Sequence, residues 1–296
     1  MEYMYLHYFT QDPGFPFYIQ YGFHDEAMPE HFHHDFFELV IVLNGTATHI
    51  VNSEEFFIKK GDVFVFNMDI SHGYKDPHNF KIINIIYKPE RLNEICNDIK
   101  KSPGYKALFV LEPFFRKKYS FSNTLSLSIS SLEYVAELGA RINEEYKRKD
   151  QGYQTMIYSR FMEMVVYLSR QYVIENKLLH DTFIHLAKAV LFLEDNYLNP
   201  IKLEKLADEA HMSVRHFNRI FKENYGTTPF NYILQLRVDH ACSLLKNSNL
   251  CIADIALESG FSDSNYFSRQ FKKITGITPK EYRVRYKLIY SNIDLE

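Results

Sequence analysis

What most constrains this chain of 296 residues is that its last hundred or so residues repeat. With a shift of 50, Phe217 falls on Phe267, Arg219 on Arg269, Phe221 on Phe271, Lys222 on Lys272, Gly226 on Gly276 and Pro229 on Pro279. Upstream the shift becomes 49, laying Leu206-Ala207 on Ile255-Ala256 and Ser213 on Ser262. One residue inserted near the start of the second copy's last helix accounts for the change. Two copies at such a period mean one supersecondary unit used twice. Each copy reads as a helix (203–210; 252–259), a tight turn (His211-Met212; Gly260-Phe261) and a second helix opened by serine. A serine oxygen there caps free backbone N–H groups, and Gly260 suits a left-handed turn position. The expected geometry is a tandem helix-turn-helix.

The second helices are amphipathic. Phe217, Ile220 and Phe221, and likewise Tyr266, Phe267 and Phe271, share the side expected to be buried. The opposite faces carry Arg215, His216, Asn218, Arg219 and Lys222 in the first copy, and Ser264, Asn265, Ser268, Arg269, Lys272 and Lys273 in the second. Arginine can donate two hydrogen bonds to guanine, asparagine pairs with adenine, and lysine suits phosphate, so these faces have the chemistry of major-groove readers. Most charged stripes are simply solvated, but solvation gives no reason for Arg and Lys to recur at matching positions of two copies. The intervening segment 230–247 has helical periodicity in Ile233, Leu236, Val238, Ala241, Leu244 and Leu245. As a helix it spans about 27 Å, and successive major-groove faces lie about 34 Å apart. One rigid helix could therefore present both readers to one side of a duplex.

A net charge of −3 looks wrong for a partner of double-stranded DNA until the chain is divided: residues 182–296 balance to +2 and residues 1–181 to −5. Cys96, Cys242 and Cys251 are odd in number and outside any CxxC spacing, so they read as reduced packing residues rather than a disulfide or zinc-thiolate framework. No run approaches the roughly twenty apolar residues of a membrane span, and the first residues carry no basic and apolar signal pattern. A cytoplasmic location without membrane attachment is expected.

The remainder divides into a β region and a helical one. ELVIVL, TATHIV, EFFIKK, VFVF and KIINIIY, between Glu38 and Tyr87, read as short strands separated by turns at Asn44-Gly45, Asn52-Ser53 and Gly61-Asp62. Their number and spacing suggest a small barrel or sandwich. Beyond Pro89, Leu132, Val135, Leu138 and Ile142, then Ile157, Phe161, Met164, Val165 and Leu168, recur at three- and four-residue spacing. These mark two helices joined near Asp150–Gly152, a hairpin that packs on the β region or also offers a dimer surface. The division expected is 1–110 for a cupin-like effector domain, 111–181 for the hairpin and linker, and 182–290 for the tandem helix-turn-helix. The fold class is thus α+β and multidomain.

Within the β region, His31-Phe-His33 is followed after four residues by Glu38 and after six more by Gly45. This matches the first cupin motif, in which such residues with one later histidine bind a divalent cation. His31 and His33 share a strand face, and Glu38 joins them only through a kink or bulge. The second motif is incomplete, with Asn67 and Asp69 where proline and glycine are expected, although His72 occupies the fourth position. Three readings stay open for His31, His33, Glu38 and His72: structural polar residues, hydrogen-bond partners of a polar effector, or metal ligands. No nucleophile–base constellation suggests catalysis, and the expectation is of a non-enzyme with no catalytic residue, cofactor or committed metal.

The stretch IADIALESGFSDSNYFSRQFKKITGITPKEYR closely resembles the C-terminal domain of AraC/XylS-type transcription regulators. By that resemblance Arg215, Asn218 and Arg219 sit where the first reading helix contacts bases, and Ser264, Asn265, Ser268 and Arg269 fill the equivalent places in the second. HHDFFELVIVLNGTATHIVN and KIINIIY are similar to the N-terminal domains of sugar-responsive members, most of all the activators of rhamnose catabolism. The resemblance implies a β-barrel binding a small molecule such as a neutral sugar, a hairpin pairing two chains into a homodimer, RNA polymerase as a partner, and activation of sugar-utilisation genes at promoter DNA. The sequence alone leaves the effector's identity and the sign of regulation open.

Overall fold

Runs of β-branched and aromatic residues make two unusually long strands, β4 (Phe37–Val51) and β7 (His72–Tyr87), and the rest of the β region hangs on them. Around them lie β1 (Glu2–Met4), β2 (Phe17–Phe23), β3 (Met28–His33), β5 (Glu54–Lys59), β6 (Asp62–Phe66) and β8 (Leu125–Ser126). In this computed structural model the described residues are 2–291 apart from 11, 13, 69, 91–97, 116–124 and 176–181. The chain forms two units, Met1–Ala187 and Lys188–Glu296.

In the first unit the strand order is β1-β3-β7-β4-β6-β8, with β2 also on β7 and β5 also on β4. Among the described strands the ladder does not close into a ring. The cupin-like region is instead an open sheet bent over its own core. Residues 37–42 of β4 pair with 82–87 of β7 and, in part, with β6, whereas residues 46–51 pair with β5 and with the first half of β7. Register shifts at Val42, Asn44, Thr46 and Thr48 mark the bend. Asn44-Gly45 is therefore no hairpin turn, contrary to the sequence expectation, but a kink inside one strand. Gly45 sits at φ 74°, where any Cβ would collide with the carbonyl oxygens of His78 and Asn79. Inside the bend lie Val40, Val42, Ile58, Phe64, Phe66, Tyr74, Phe80 and Ile82.

The hairpin is present as α1 (Ile129–Arg148) and α2 (Tyr153–Glu175). Ser128 caps α1, Lys149 at φ 53° and Gly152 at φ 84° turn the chain, and all nine apolar residues that marked the pair are buried. The helices run antiparallel: Ser131 Oγ donates to Gln171, Tyr134 packs on Tyr167 at 4.3 Å between ring centroids, and Arg160 pairs with Glu145 at 3.0 Å. They pack on the sheet's outer face through Phe161 against Tyr87 at 5.0 Å. A Cβ on Gly139 would drive into Ile83. Nearly all of the segment expected to follow as a linker, 175–181, lies outside the described residues, as does Cys96.

From Thr182 on, the chain is helical: α3 (Thr182–Asn196), α4 (Leu203–Glu209), α5 (Val214–Tyr225), α6 (Pro229–Asn247), α7 (Ile252–Glu258), α8 (Ser264–Thr275) and α9 (Pro279–Ser291). Each helix-turn-helix has its own small core. Leu206, Ala207, Phe217, Ile220 and Phe221 are buried in the first; Ile255, Ala256, Phe261, Phe267 and Phe271 pack with Leu234, Val238, Ala241 and Leu245 of α6 in the second. The turns use one conformation with two residue types: His211 at φ 52° where the second copy has Gly260 at φ 79°. Ser213 caps α5 as expected, accepting from the His216 N–H. The second reader differs from expectation, because Asp263 rather than Ser262 caps α8 by accepting from the Asn265 N–H. The inserted residue moves the aspartate, not the serine, into the capping place. Cys251 is another correction: it is exposed, and its Sγ accepts the Asp254 N–H at the start of α7, so it caps rather than packs.

Candidate nucleic-acid interface and effector site

Burial of the phenylalanines fixes how α5 and α8 face solvent. With Phe217 and Phe221, and Phe267 and Phe271, fully buried, Arg215, His216, Arg219 and Lys222 are exposed on α5, and Ser264, Asn265, Arg269, Lys272 and Lys273 on α8. Asn218 and Ser268 are half-buried at the edges of these faces. Every residue singled out from the sequence is thus on the solvent side of its helix, and the aligned Arg and Lys pairs of the two copies occupy matching places. Arg219, His216 and Ser268 have local partners, with Arg219 Nη2 3.3 Å from His216 Nδ1. Arg219 Nη1 donates to Glu223 at 3.2 Å, and Ser268 Oγ donates to the Ser264 carbonyl at 2.9 Å. Tyr266, expected on the buried side, is only half-buried.

The connecting helix α6 is held against its surroundings by polar contacts as well as by its apolar face. Arg237 Nε donates to the Tyr197 carbonyl at 2.7 Å and its Nη2 to that of Asn199 at 2.9 Å. Tyr232 donates to Glu194 at 2.8 Å. Its 19 residues span about 28 Å as a continuous helix. A basic, amide-bearing face thus stands on each side of a stiff spacer.

In the first unit, the four residues picked from the motif spacing converge. His31 and His33 alternate along β3, His72 is register partner to His31 on β7, and the chain bends at 34–36 to bring Glu38 in on β4. His72 Nε2 lies 2.9 Å from both Glu38 Oε2 and His33 Nε2, and His33 Nε2 lies 3.3 Å from the same Glu38 oxygen. Ligand atoms of His31, His33 and His72 all lie within 4.8 Å of one another. The rings are wedged among aromatics: Phe66 stacks on His72 at 4.1 Å and Phe36 on His33 at 4.3 Å. All four residues are at most 4% exposed.

Burial sets the protonation of two of these histidines. It pushes His72 down to about 4 against the pull of Glu38, and it lowers His31 as well. Burial alone would raise Glu38, but the neighbouring imidazoles and their hydrogen bonds outweigh it and hold the carboxyl well below its usual range. Near neutrality His31 and His72 are uncharged beside an ionised carboxylate. Three of the donor atoms, His33 Nε2, His72 Nε2 and Glu38 Oε2, lie 2.9 to 3.3 Å apart, near the ligand–ligand spacing of about 3.3 Å that metal–nitrogen bonds near 2.0 Å require in a tetrahedral site. The donor set therefore fits a divalent ion of borderline softness. Nδ1 of His33 and of His72 are buried without a hydrogen-bond partner, so the outer support that usually orients a liganding histidine is missing from these two.

Sequence reading did not single out two neighbouring features. His49 on β4 is fully buried, 5.7 Å from His72 between ring centroids and stacked on Tyr74 at 4.9 Å. Its isolated place in TATHIV gives no motif to read. On the sheet's outer face, Tyr21 and Phe23 line a groove of about 390 Å³ with Asn44, Lys60, Lys81 and Glu133. Lys81 lies over both rings, at 5.1 and 5.7 Å from their centroids. The groove thus has an aromatic wall accessible at the surface and covered in part by Lys81, which the buried histidine cluster lacks.

Comparison with known proteins addresses both units. Residues 206–285 match the family described as helix-turn-helix domain, and residues 16–152 match that described as AraC-like ligand binding domain. The HTH-type transcriptional activator RhaR of Escherichia coli K12 is 32% identical over 251 residues, which cover 84% of this chain and 85% of RhaR. The same protein from Shigella boydii matches to the same extent. Among solved structures, a transcriptional regulator with an AraC-type DNA-binding domain from Chromobacterium violaceum is 34% identical, covering 34% of this chain and 91% of that one at a TM-score of 0.33.

Proposed function

The chain belongs to the AraC family of transcription regulators, whose relatives act on transcription rather than as enzymes, and on that premise we propose that it activates sugar-utilisation genes by binding promoter DNA through α5 and α8. Arg215, His216, Asn218, Arg219 and Lys222 contact the first half of the site, and Ser264, Asn265, Ser268, Arg269, Lys272 and Lys273 the second. The observation that carries this reading is the recurrence of exposed Arg and Lys at matching positions of two helices held by one spacer. The effector is a small molecule taken by the first unit, with His31, His33, Glu38 and His72 as its polar partners. The hairpin α1–α2 pairs two chains, and RNA polymerase is the partner at the promoter. The protein works in the cytoplasm; no described helix is long and apolar enough to cross a membrane.

A second reading of the first unit is favoured by one observation. All four polar side chains are buried, His33, His72 and Glu38 face one another at 2.9 to 3.3 Å, and the ligand atoms of His31, His33 and His72 lie within 4.8 Å of one another, a clustering suited to an ion. In this reading the same residues hold a divalent metal, and metal is the signal. Thermal denaturation of the full chain against monosaccharides, sugar acids and divalent metals separates the two, because a ligand specific to the folded state must raise its melting temperature. A saturable rise with one sugar supports the first reading, and a rise only with metal, lost in Glu38→Gln, supports the second. For the DNA, the full chain should enrich a defined duplex from a random-sequence pool; failure to enrich any would refute the assignment.

A further inference from the structure

The two reading helices differ at one aligned position where nothing in the shared design requires it. The fifty-residue shift lays Glu223 on Lys273, each four residues beyond the aligned arginine. In α5, Arg219 Nη1 donates to both carboxylate oxygens of Glu223 at 3.2 Å, and Nη2 lies 3.3 Å from His216 Nδ1. The arginine side chain is 50% exposed while the glutamate is 24% exposed, so the carboxylate sits at the base of the face and the guanidinium at its crest. In α8, the residues three and four positions either side of Arg269 are Asn265, Tyr266, Lys272 and Lys273. None is acidic, and two are cationic.

An exposed pair four residues apart on a helix stabilises little, but it sets the direction of the guanidinium and the potential around it. A carboxylate at the foot of an arginine repels phosphate. It leaves the outward N–H groups to neutral acceptors such as O6 and N7 of guanine. An arginine beside two lysines favours phosphate and releases counterions. Resting on the DNA-binding assignment above, we infer that the two units divide the work: α5 discriminates bases through an Arg219 held by Glu223, and α8 supplies grip that is indifferent to sequence. Glu223 is a positioning residue. It contacts no base and acts through the arginine it holds.

The test uses the full chain, a duplex that the wild type enriches from a random pool, and a scrambled duplex of equal length, titrated between 50 and 200 mM salt. Glu223→Gln should tighten binding to the scrambled duplex and steepen the salt dependence by about one phosphate, an extra change of about threefold in Kd across that range. It should also flatten base preference in the half-site read by α5. Lys273→Glu should weaken both duplexes alike and reduce the slope. In an Arg219→Ala background, Glu223→Gln should no longer affect base preference, an outcome that a merely structural role for Glu223 does not produce. If Glu223→Gln matches wild type in slope and base preference on the enriched duplex, the division of work is overturned while the DNA-binding assignment stands. If the wild type enriches nothing, both fall.

Discussion

The candidate side chains of the second unit point outward and include two matched pairs, whereas those of the first point inward and meet only once. On α5 and α8, burial of four phenylalanines forces the polar faces into solvent, and Arg219 and Lys222 have counterparts, Arg269 and Lys272, fifty residues away. In the β unit, His31, His33, Glu38 and His72 come from three strands and are sealed among Phe36 and Phe66. A surface that reads a partner can be changed at little cost to folding. A buried polar cluster is part of the core, so function and stability are coupled there. The comparison predicts that variants in the two units fail in different ways.

The largest expected effect is at Gly45. Gly45→Ala adds a Cβ against two carbonyl oxygens at a left-handed φ, and should destabilise the first unit by several kcal/mol, seen as a collapse of its thermal transition. The matched control is Gly226→Ala, also at positive φ but with open space around it, which should cost only about 1 kcal/mol. Next is Glu38→Gln, which removes the charge around which the imidazoles gather. It should lower stability by about 1–3 kcal/mol and abolish any ligand-induced rise in melting temperature. Affinity for DNA without ligand should not change, and an altered salt dependence in this variant would break the separation drawn here.

Smaller effects belong to the second unit. Lys222→Ala should weaken binding to specific and scrambled duplexes alike and reduce the slope of log affinity against log salt by about 0.9, with no change in melting temperature. The smallest is His211→Gly. This histidine holds at φ 52° the turn that Gly260 makes at no steric cost, so the substitution should stabilise the second unit by up to about 1 kcal/mol while leaving DNA affinity unchanged. A destabilised His211→Gly would mean that the imidazole contributes more than the backbone strain it carries.

The same contrast explains what was legible in the sequence. Helical periodicity is local, so α1, α2, α6 and the repeated units could be read directly, down to Ser213 as a cap and His211 as a turn residue. The α8 cap was missed because alignment by identity matched Ser213 to Ser262, whereas the backbone counts by position and uses Asp263. In the β unit, strands with continuous apolar runs were visible, but β3 was not among them and was legible only as the strand face shared by His31 and His33. Its sequence MPEHFH has a proline and two inward histidines in place of an apolar alternation. Asn44-Gly45 carried the dipeptide of a tight hairpin, and only pairing with β7, more than thirty residues away, makes it a kink. The HxH and Glu spacing located the cluster, but His49 came to it through strand pairing that no local pattern encodes.

The most direct test of the account is the affinity of the full-length Arg219→Ala/Arg269→Ala variant for the duplex that wild type enriches, measured beside its melting temperature. Arg219 should contribute roughly 1–3 kcal/mol as a base reader and Arg269 further affinity as a phosphate contact, so the double variant should bind at least tenfold more weakly. Its melting temperature should be unchanged, since both side chains are exposed. Equal affinity of wild type and double variant would contradict the claim that α5 and α8 are the surfaces through which this protein reads DNA.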